Sequence, residues 1–169
     1  MELNLDDEEV VAESENNLSI TFEKTLQYQG LTTLSEEDLK PYFNAIHLNL
    51  SGNQLTDLPQ FITTMPYLEK LTLDNNNFKS IPSVLRHCKQ LEEIYINNNP
   101  LTSIGLNLWK MKQLEVLHLE NTDFKKLPIF PDRSDLIVIL PNRNYSNKSK
   151  EKLRDYLAQK YKYTLLELY

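Results

Sequence analysis

The sequence is poor in several residues on which common protein functions depend. Its 169 residues include one cysteine, Cys88, so an internal disulfide bond is excluded. Only three glycines occur, which leaves little room for a glycine-rich phosphate-binding loop. No apolar run approaches the roughly 20 residues that a transmembrane helix requires. We therefore expect a domain that needs no cofactor and does not span a membrane.

Basic residues are absent from the start of the chain. The first residues, MELNLDDEEVVAE, are acidic where a secretory signal carries basic residues and an apolar core, so we expect a reducing, cytoplasmic location. Residues 1–16 hold seven acids and no base, whereas residues 143–162 hold seven bases and two acids. The chain has a net charge of −6 that is polarised from end to end, and we expect residues 1–17 to form a disordered acidic tail.

A repeat of 23 residues occupies the middle of the chain. Four segments align without gaps, with starts 23 residues apart: AIHLNLSGNQLTDLP, LEKLTLDNNNFKSIP, LEEIYINNNPLTSIG and LEVLHLENTDFKKLP. They begin at Ala45, Leu68, Leu91 and Leu114, and each has apolar residues at positions 4, 6, 11 and 14. Three of the four have asparagine at position 9. This pattern, LxxLxLxxNxL, resembles that of the leucine-rich repeat family over about three-quarters of the sequence.

The resemblance implies an α/β solenoid with a curved parallel sheet on its concave side and short helical turns on its convex side. Alternation at positions 4 and 6 predicts a short strand with one buried face. The last stretch has apolar residues at helical spacing, as in Leu153, Leu157 and Tyr161, and predicts a helix that caps the solenoid. We expect a tail over 1–17, a repeat domain over 18–144 and a capping helix over 145–169. The repeats within that domain are a degenerate repeat over 21–44, full repeats over 45–67, 68–90, 91–113 and 114–135, and a partial repeat over 136–144.

The recurrent asparagines predict a ladder inside the solenoid. An amide at position 9, where the chain leaves the strand, can bond backbone groups that would otherwise be buried without partners. We expect this structural role for Asn53, Asn76, Asn99 and Asn144. The same position holds Thr122, a weak rung, and Gln29 in the degenerate first repeat. We expect solvent exposure, and freedom to contact a partner, for Asn75, Asn97 and Asn98.

Strand residues that point away from the core form the concave face, which repeat solenoids commonly use to bind other proteins. Six acids and one lysine make this face negative, and Tyr95 stands near its centre as an anchor for a basic or polar segment of a partner protein. We expect a monomer that binds no nucleic acid. The predicted partner-binding residues are His47, Asn49, Lys70, Thr72, Asp74, Glu92, Glu93, Tyr95, Asn97, Val116, His118 and Glu120.

Neither catalysis nor a metal site is predicted. Cys88 follows a histidine, but it occupies an apolar slot of its repeat that Met65 and Met111 fill in neighbouring copies, so we expect a core cysteine. His47 and His118 lie three repeats apart, which is too far to share a metal ion.

Two features leave alternatives open. Trp109 breaks the convex pattern, and it either contacts a partner or covers its own repeat. The basic C-terminal helix has the composition of a segment that binds nucleic acid or anionic lipid, but its apolar stripe favours the capping role.

Two classes of function compete. The first is a non-enzymatic interaction module, the usual role of leucine-rich repeat proteins; asparagine supplies 17 residues, which resembles secreted effectors of intracellular bacteria acting in a host cytosol. A eukaryotic cytosolic adaptor is the alternative within this class. The second class is a recognition or adaptor subunit of an enzyme complex such as a ubiquitin ligase. The stretch LSEEDLKPYFNAI is faintly similar to an F-box, although the repeat register already accounts for its Leu34.

Overall fold

The computed structural model describes residues 21–104, 110–123 and 136–139. They form a six-stranded sheet in which every pair of neighbours is parallel and the strands follow sequence order. The strands are β1 Thr21–Thr25, β2 Ala45–Asn49, β3 Lys70–Thr72, β4 Glu93–Tyr95, β5 Val116–His118 and β6 Ile137–Ile139. The predicted repeat fold with its parallel sheet is confirmed for these residues. The acidic tail, Trp109, Asn144 and the capping helix lie outside the described residues.

Apolar residues of successive coils meet in one continuous core. The residues at positions 4 and 6 of the four repeats are all fully buried: Leu48, Leu50, Leu71, Leu73, Ile94, Ile96, Leu117 and Leu119. Position 11 adds Leu55, Phe78 and Leu101, which are also buried. A single coil of this length has no second layer to cover its apolar side, so stacked neighbours must bury it. This requirement explains why the repeat length is constant through the middle of the chain.

Short helical turns cross the convex side. The segments Gln60–Thr64 and Ser83–His87 are 3₁₀ helices, and each is preceded by a proline, Pro59 and Pro82 respectively. Each segment turns buried side chains inward, Ile62 in the first and Val84 and Leu85 in the second. The prediction of single helical turns is confirmed, with 3₁₀ geometry. Among the described residues, no helix has the length and apolar character needed to cross a bilayer.

The first coil carries a capped α-helix, α1 Glu36–Leu39, which continues into a 3₁₀ turn over Lys40–Tyr42. The Ser35 side chain accepts a hydrogen bond from the Asp38 backbone N–H, and the Asp38 carboxylate accepts one from the Ser35 N–H. This reciprocal capping box starts the helix, and the sequence SEED is its recognisable signal. Leu39 then enters the core with no exposed surface.

A left-handed backbone residue follows every one of the first five strands. Tyr28, Gly52, Asn75, Asn98 and Asn121 have φ values between +52° and +70°, and all stand at position 8 of their coils. Asparagine and glycine tolerate this conformation better than other residues. The first asparagine of each pair at positions 8 and 9 therefore serves the turn, while the second serves the ladder described below.

Gly52 is needed at position 8 of its coil for a further reason. A Cβ atom added there would overlap the Tyr28 ring, which lies against the Gly52 backbone. We predict that Gly52→Ala lowers the free energy of unfolding by at least about 1–2 kcal/mol, because the left-handed conformation and the overlap both oppose a side chain. Chemical denaturation measures this loss.

The matched control for this prediction is the double variant Gly52→Ala/Tyr28→Ala. It removes the overlap and leaves only the backbone strain, so it should recover part of the loss in a double-mutant cycle. Equal stability losses in the two backgrounds would show that the Tyr28 ring does not restrict this position.

The last strand pairs one residue out of the expected register. Alignment from Leu136 places Ile137 at position 2, whereas the observed pairing sets Ile137 opposite Val116, at position 3. In earlier coils the N–H groups of both Glu92 and Glu93 donate to the Glu69 carbonyl, so position 2 is an extra residue in the ladder. In the last coil Leu136 is buried like the first residue of the other coils, and Ile137 follows it at position 3, so the extra residue is missing.

Asn76 shows how the inner ladder works. Its Nδ2 donates to the carbonyls of Leu50 and Leu73, each at 3.0 Å, and it lies 3.2 Å from the carbonyl oxygen of Asp74. Its Oδ1 accepts a hydrogen bond from the Leu55 N–H at 3.0 Å. One buried amide thus joins its own turn to the coil before it and pairs backbone groups in the interior.

The neighbouring rungs repeat this arrangement. Asn99 donates to the Leu73 carbonyl of the preceding coil at 2.9 Å and accepts from the Phe78 N–H at 3.0 Å. Asn53 accepts from two N–H groups of the first coil, at Gln29 and Leu31, each at 3.0 Å. All three asparagines are buried.

The end coils depart from this arrangement. The buried hydroxyl of Thr122 donates to the Leu119 carbonyl at 2.9 Å, which reproduces one of the bonds that an asparagine makes. The prediction of an inward rung at Gln29 is wrong. Its exposed side chain donates to the Gln27 carbonyl, and Asn53 of the next coil bonds the local N–H groups instead.

We predict that Asn76→Ala lowers the free energy of unfolding by about 1–3 kcal/mol, because it leaves buried backbone groups without partners. Asn77→Ala is the matched control, since Asn77 is exposed and follows the rung directly. Equilibrium urea denaturation of both variants gives the comparison. Equal losses for the two variants would contradict the structural role of the buried amide.

Candidate functional site

The centre of the concave face is a stack of three side chains from three adjacent strands. The rings of Tyr95 on β4 and His118 on β5 lie 4.1 Å apart between centroids, with an interplanar angle of 15°. The Nζ atom of Lys70 on β3 lies 4.5 Å from the centroid of the Tyr95 ring. Parallel pairing sets Tyr95 directly opposite His118, whereas Lys70 stands opposite Glu93 and reaches the Tyr95 ring diagonally. These contacts hold the tyrosine ring in one orientation.

Glu93 fixes the same cluster from the side. Its Oε2 accepts a hydrogen bond from the Tyr95 hydroxyl at 3.1 Å and lies 3.4 Å from the Lys70 ammonium. Burial and the neighbouring Glu93 carboxylate raise the pKa of Tyr95, so its hydroxyl stays protonated and remains a donor. The one lysine of the concave face is therefore already paired, and the acids around it keep their surplus of negative charge.

His47 bridges the first three strands. Its Nε2 lies 2.8 Å from the Thr72 hydroxyl on β3, and its Nδ1 lies 3.6 Å from Glu23 on β1. Burial lowers the pKa of His47 despite the opposing influence of Glu23, so the ring is neutral at neutral pH. It acts as a hydrogen-bonding link between coils, and it does not contribute positive charge to the face.

A second chain of hydrogen bonds follows the strand ends at position 7. The Asp74 carboxylate accepts from the Asn97 N–H, and the Asn97 side-chain oxygen accepts from the Glu120 N–H, both at 2.7 Å. Burial raises the pKa of Asp74, and the bond from Asn97 opposes that rise.

The expected solvent exposure of Asn97 is wrong. Its side chain is only 8% exposed, because it pairs a backbone N–H of the next coil. Asn75 and Asn98, by contrast, are exposed to solvent as expected. Sequence reasoning missed the role of position 7, although acceptor side chains in two successive copies, Asp74 and Asn97, were a visible signal.

The remaining predicted residues lie around this centre. Asn49 is half-buried, and its side-chain oxygen accepts from the Ser51 N–H at 3.1 Å. Val116 is half-buried, whereas Glu92 and Glu120 are exposed. The Glu120 carboxylate lies 3.7 Å from Nδ1 of His118, which links the position 7 chain to the aromatic stack.

Cys88 lies in the core, as the repeat register predicts. It is buried in the same cluster as Met65 and Met111, which occupy the equivalent slot in neighbouring coils. Burial raises the pKa of its thiol to about 12. A protonated, buried thiol is a poor nucleophile, and no group of three or more candidate metal ligands occurs in residues 21–104, 110–123 and 136–139.

We predict that the native protein reacts with a thiol reagent such as 5,5′-dithiobis(2-nitrobenzoate) far more slowly than the unfolded chain at about pH 8, because the thiol is buried and protonated. Absorbance of the released thiolate, recorded with and without guanidinium chloride, measures both rates. Native labelling as fast as unfolded labelling would contradict the core placement of Cys88.

Comparison with known protein families identifies the repeat. The leucine-rich repeat profile matches residues 44–101 and 66–124. Residues 44–124 are therefore similar to leucine-rich repeats, which in other proteins typically form protein-binding domains. No curated protein sequence matches the chain.

Solved structures show varying degrees of similarity to the chain, and one of them has a TM-score above 0.5. The Arabidopsis receptor kinase HAESA, solved with the peptide hormone IDA and the co-receptor SERK1, is 22% identical with a TM-score of 0.54. A leucine-rich repeat protein of Leptospira interrogans is 28% identical with a TM-score of 0.49. Each match covers 76% of this chain and 27% of the other, so the chain spans about a quarter of the length of these relatives. The leucine-rich repeat domain of the type III effector XopL is 17% identical with a TM-score of 0.44, over 71% of this chain and 55% of that one.

Proposed function

We propose that the protein is a non-enzymatic interaction module that binds a partner protein through its concave face. The observation that carries this proposal is the stack of Lys70, Tyr95 and His118 at the centre of the face, held by Glu93. Side chains that are already ordered lose little conformational entropy when a partner binds. Tyrosine is also among the residues that most often dominate binding energy at protein interfaces.

The charge of the face supports a basic or polar partner segment. Its acids are Glu69, Asp74, Glu92, Glu93, Glu115 and Glu120, and its one lysine is paired with Glu93. An anionic surface attracts a cationic segment and discriminates against acidic partners. We propose one protein partner per monomer, and we propose no nucleic acid ligand.

The experiment is affinity capture from a lysate with the wild-type protein and the double variant Tyr95→Ala/Glu93→Lys. The variant removes the stacked ring and places a second cation beside Lys70, so we expect it to lose the captured partner. Tyr67→Ala is the matched control, because it also removes an exposed tyrosine ring but outside the strands. Circular dichroism checks that both variants fold. Retention of the same partner by the double variant would disprove binding through this face.

The proposed cellular setting is the cytoplasm, or a host cytosol if the protein is a secreted bacterial effector. The abundance of asparagine supports the effector role less than its number suggests, because the repeat itself requires these residues at positions 8 and 9. A reporter fusion in a translocation assay tests the effector role directly. Failure of the fusion to enter host cells would leave the interaction module as a cytoplasmic adaptor.

The described residues do not favour an adaptor for a ubiquitin ligase. The stretch with faint similarity to an F-box, residues 34–46, is part of the first coil: it contains α1, buries Leu39 and begins β2 at Ala45. Leu39 and Ala45 of this stretch are part of the solenoid core, and Leu34, Tyr42 and Phe43 pack against it.

A further inference from the structure

The outer row of the concave face runs across the strands at position 2. It consists of Phe22, Ile46, Glu69, Glu92 and Glu115. The Glu69 N–H donates to the Ile46 carbonyl at 2.9 Å, and each of the next two glutamates donates to the carbonyl of the one before it at 2.8 Å. The pairing of Thr21 with Ala45 and of Glu23 with His47 sets Phe22 beside Ile46.

An exposed apolar side chain lies at each end of this row. Phe22 is 75% exposed at one end. At the other end Ile137, whose N–H donates to the Glu115 carbonyl at 2.7 Å, is 52% exposed. A partner with matching apolar residues would cover both of these side chains. Because burial of apolar surface is favourable, this contact would stabilise the complex. These two side chains are an observation independent of the charges between them.

Among the described residues, no ion pair neutralises the three glutamates between these ends. Within the described residues, the lysine–carboxylate ion pair of the concave face joins Lys70 and Glu93, and the histidine contacts of the face involve Glu23 and Glu120, so none of these contacts includes an acid of the outer row. Burial and the carboxylates of Glu69 and Glu115 raise the pKa of Glu92, the middle member. A cationic partner relieves this repulsion.

The spacing of the row selects the shape of the partner. Neighbouring strands lie about 4.8 Å apart, so the row offers one site per 4.8 Å. An α-helix presents one residue per turn on a given face, about every 5.4 Å. An extended chain presents residues on one face about every 6.7 Å, so its side chains fall out of alignment with the row within three strands. A helix laid across the strands matches the row better.

We propose that the outer row binds an amphipathic basic helix of a partner protein, with apolar residues over Ile46 and Ile137 and basic residues over Glu69, Glu92 and Glu115. The helix carries its basic residues about four, seven and eleven positions after the first apolar residue, since these positions share one face. The inference rests on the proposed function, because it names the class of segment that the concave face binds.

The test uses the full chain and two synthetic peptides of about 18 residues, a length that covers the row as a helix. The matched peptide places three arginines at the spacing above between two leucines, on an alanine and glutamine background. The control peptide has the same composition, with its arginines moved to the opposite face. Fluorescence anisotropy of labelled peptides measures binding at low and high salt.

We expect the matched peptide to bind at least about tenfold more tightly than the control peptide, with an affinity that falls as salt rises. The triple variant Glu69→Gln/Glu92→Gln/Glu115→Gln should remove this preference. The charge-matched control, Glu36→Gln/Glu37→Gln/Asp57→Asn, changes acids away from the sheet and should retain it within about twofold. Ile137→Ala, which truncates an exposed side chain under one leucine of the peptide, should weaken the matched peptide without a change of charge.

Equal binding of the two peptides, or equal effects of the two triple variants, would show long-range charge attraction alone and overturn the proposal. Absence of peptide binding would also overturn it. If a captured partner then still depends on Tyr95 and Glu93 but not on the outer row, the proposed function stands and only the helix inference fails. If the partner depends on neither set, both are wrong.

Discussion

The bonding of buried backbone by asparagine side chains is the interaction on which this structure depends. Each turn of the solenoid leaves backbone N–H and C=O groups inside the molecule. A buried group of this kind that has no hydrogen-bond partner lowers the free energy of unfolding by about 1–3 kcal/mol. Asn53, Asn76 and Asn99 pair these groups within a coil and between coils. In the regular 23-residue coils the rungs bond the same carbonyl position of the coil before, as Asn76 does with Leu50 and Asn99 with Leu73.

The ladder also explains where the fold changes at its ends. Thr122 has a hydroxyl in place of an amide and reproduces a single rung bond, to the Leu119 carbonyl. The coil that contains Thr122 is shorter than the other full repeats, and β6, which follows it, pairs with the register of Ile137 shifted by one residue. In the first coil Gln29 points outward and Asn53 performs its task from the next coil. The first regular repeat thus supplies, through Asn53, the hydrogen bonds that the irregular first coil lacks.

The concave face is coupled from strand to strand in the same way as the interior. Lys70, Tyr95 and His118 stack across three coils, His47 links the Glu23 and Thr72 strands, and Asp74 and Asn97 each bond the N–H of the next coil. A partner therefore meets an ordered surface rather than independent side chains. Inner residues of the face are occupied by mutual contacts, whereas the outer row with Glu69, Glu92 and Glu115 keeps its charge available.

Sequence by itself determined the repeat length, the strand positions, the buried leucines and the inward slot of Cys88, because a fixed period assigns equivalent residues to equivalent environments. It also indicated which side chains share the concave face. The repeat register also assigned Asn99 to the buried rung, as the structure shows. Only the tertiary structure decided the roles of its neighbours: Asn98 takes the left-handed turn, and Asn97 bonds the Glu120 N–H. The same amide chemistry suits all three positions, so the difference depends on which backbone group of an adjacent coil lies within reach. The pairing of Tyr95 with His118 and Lys70 was likewise settled by strand register, which brings together residues 23 or more positions apart.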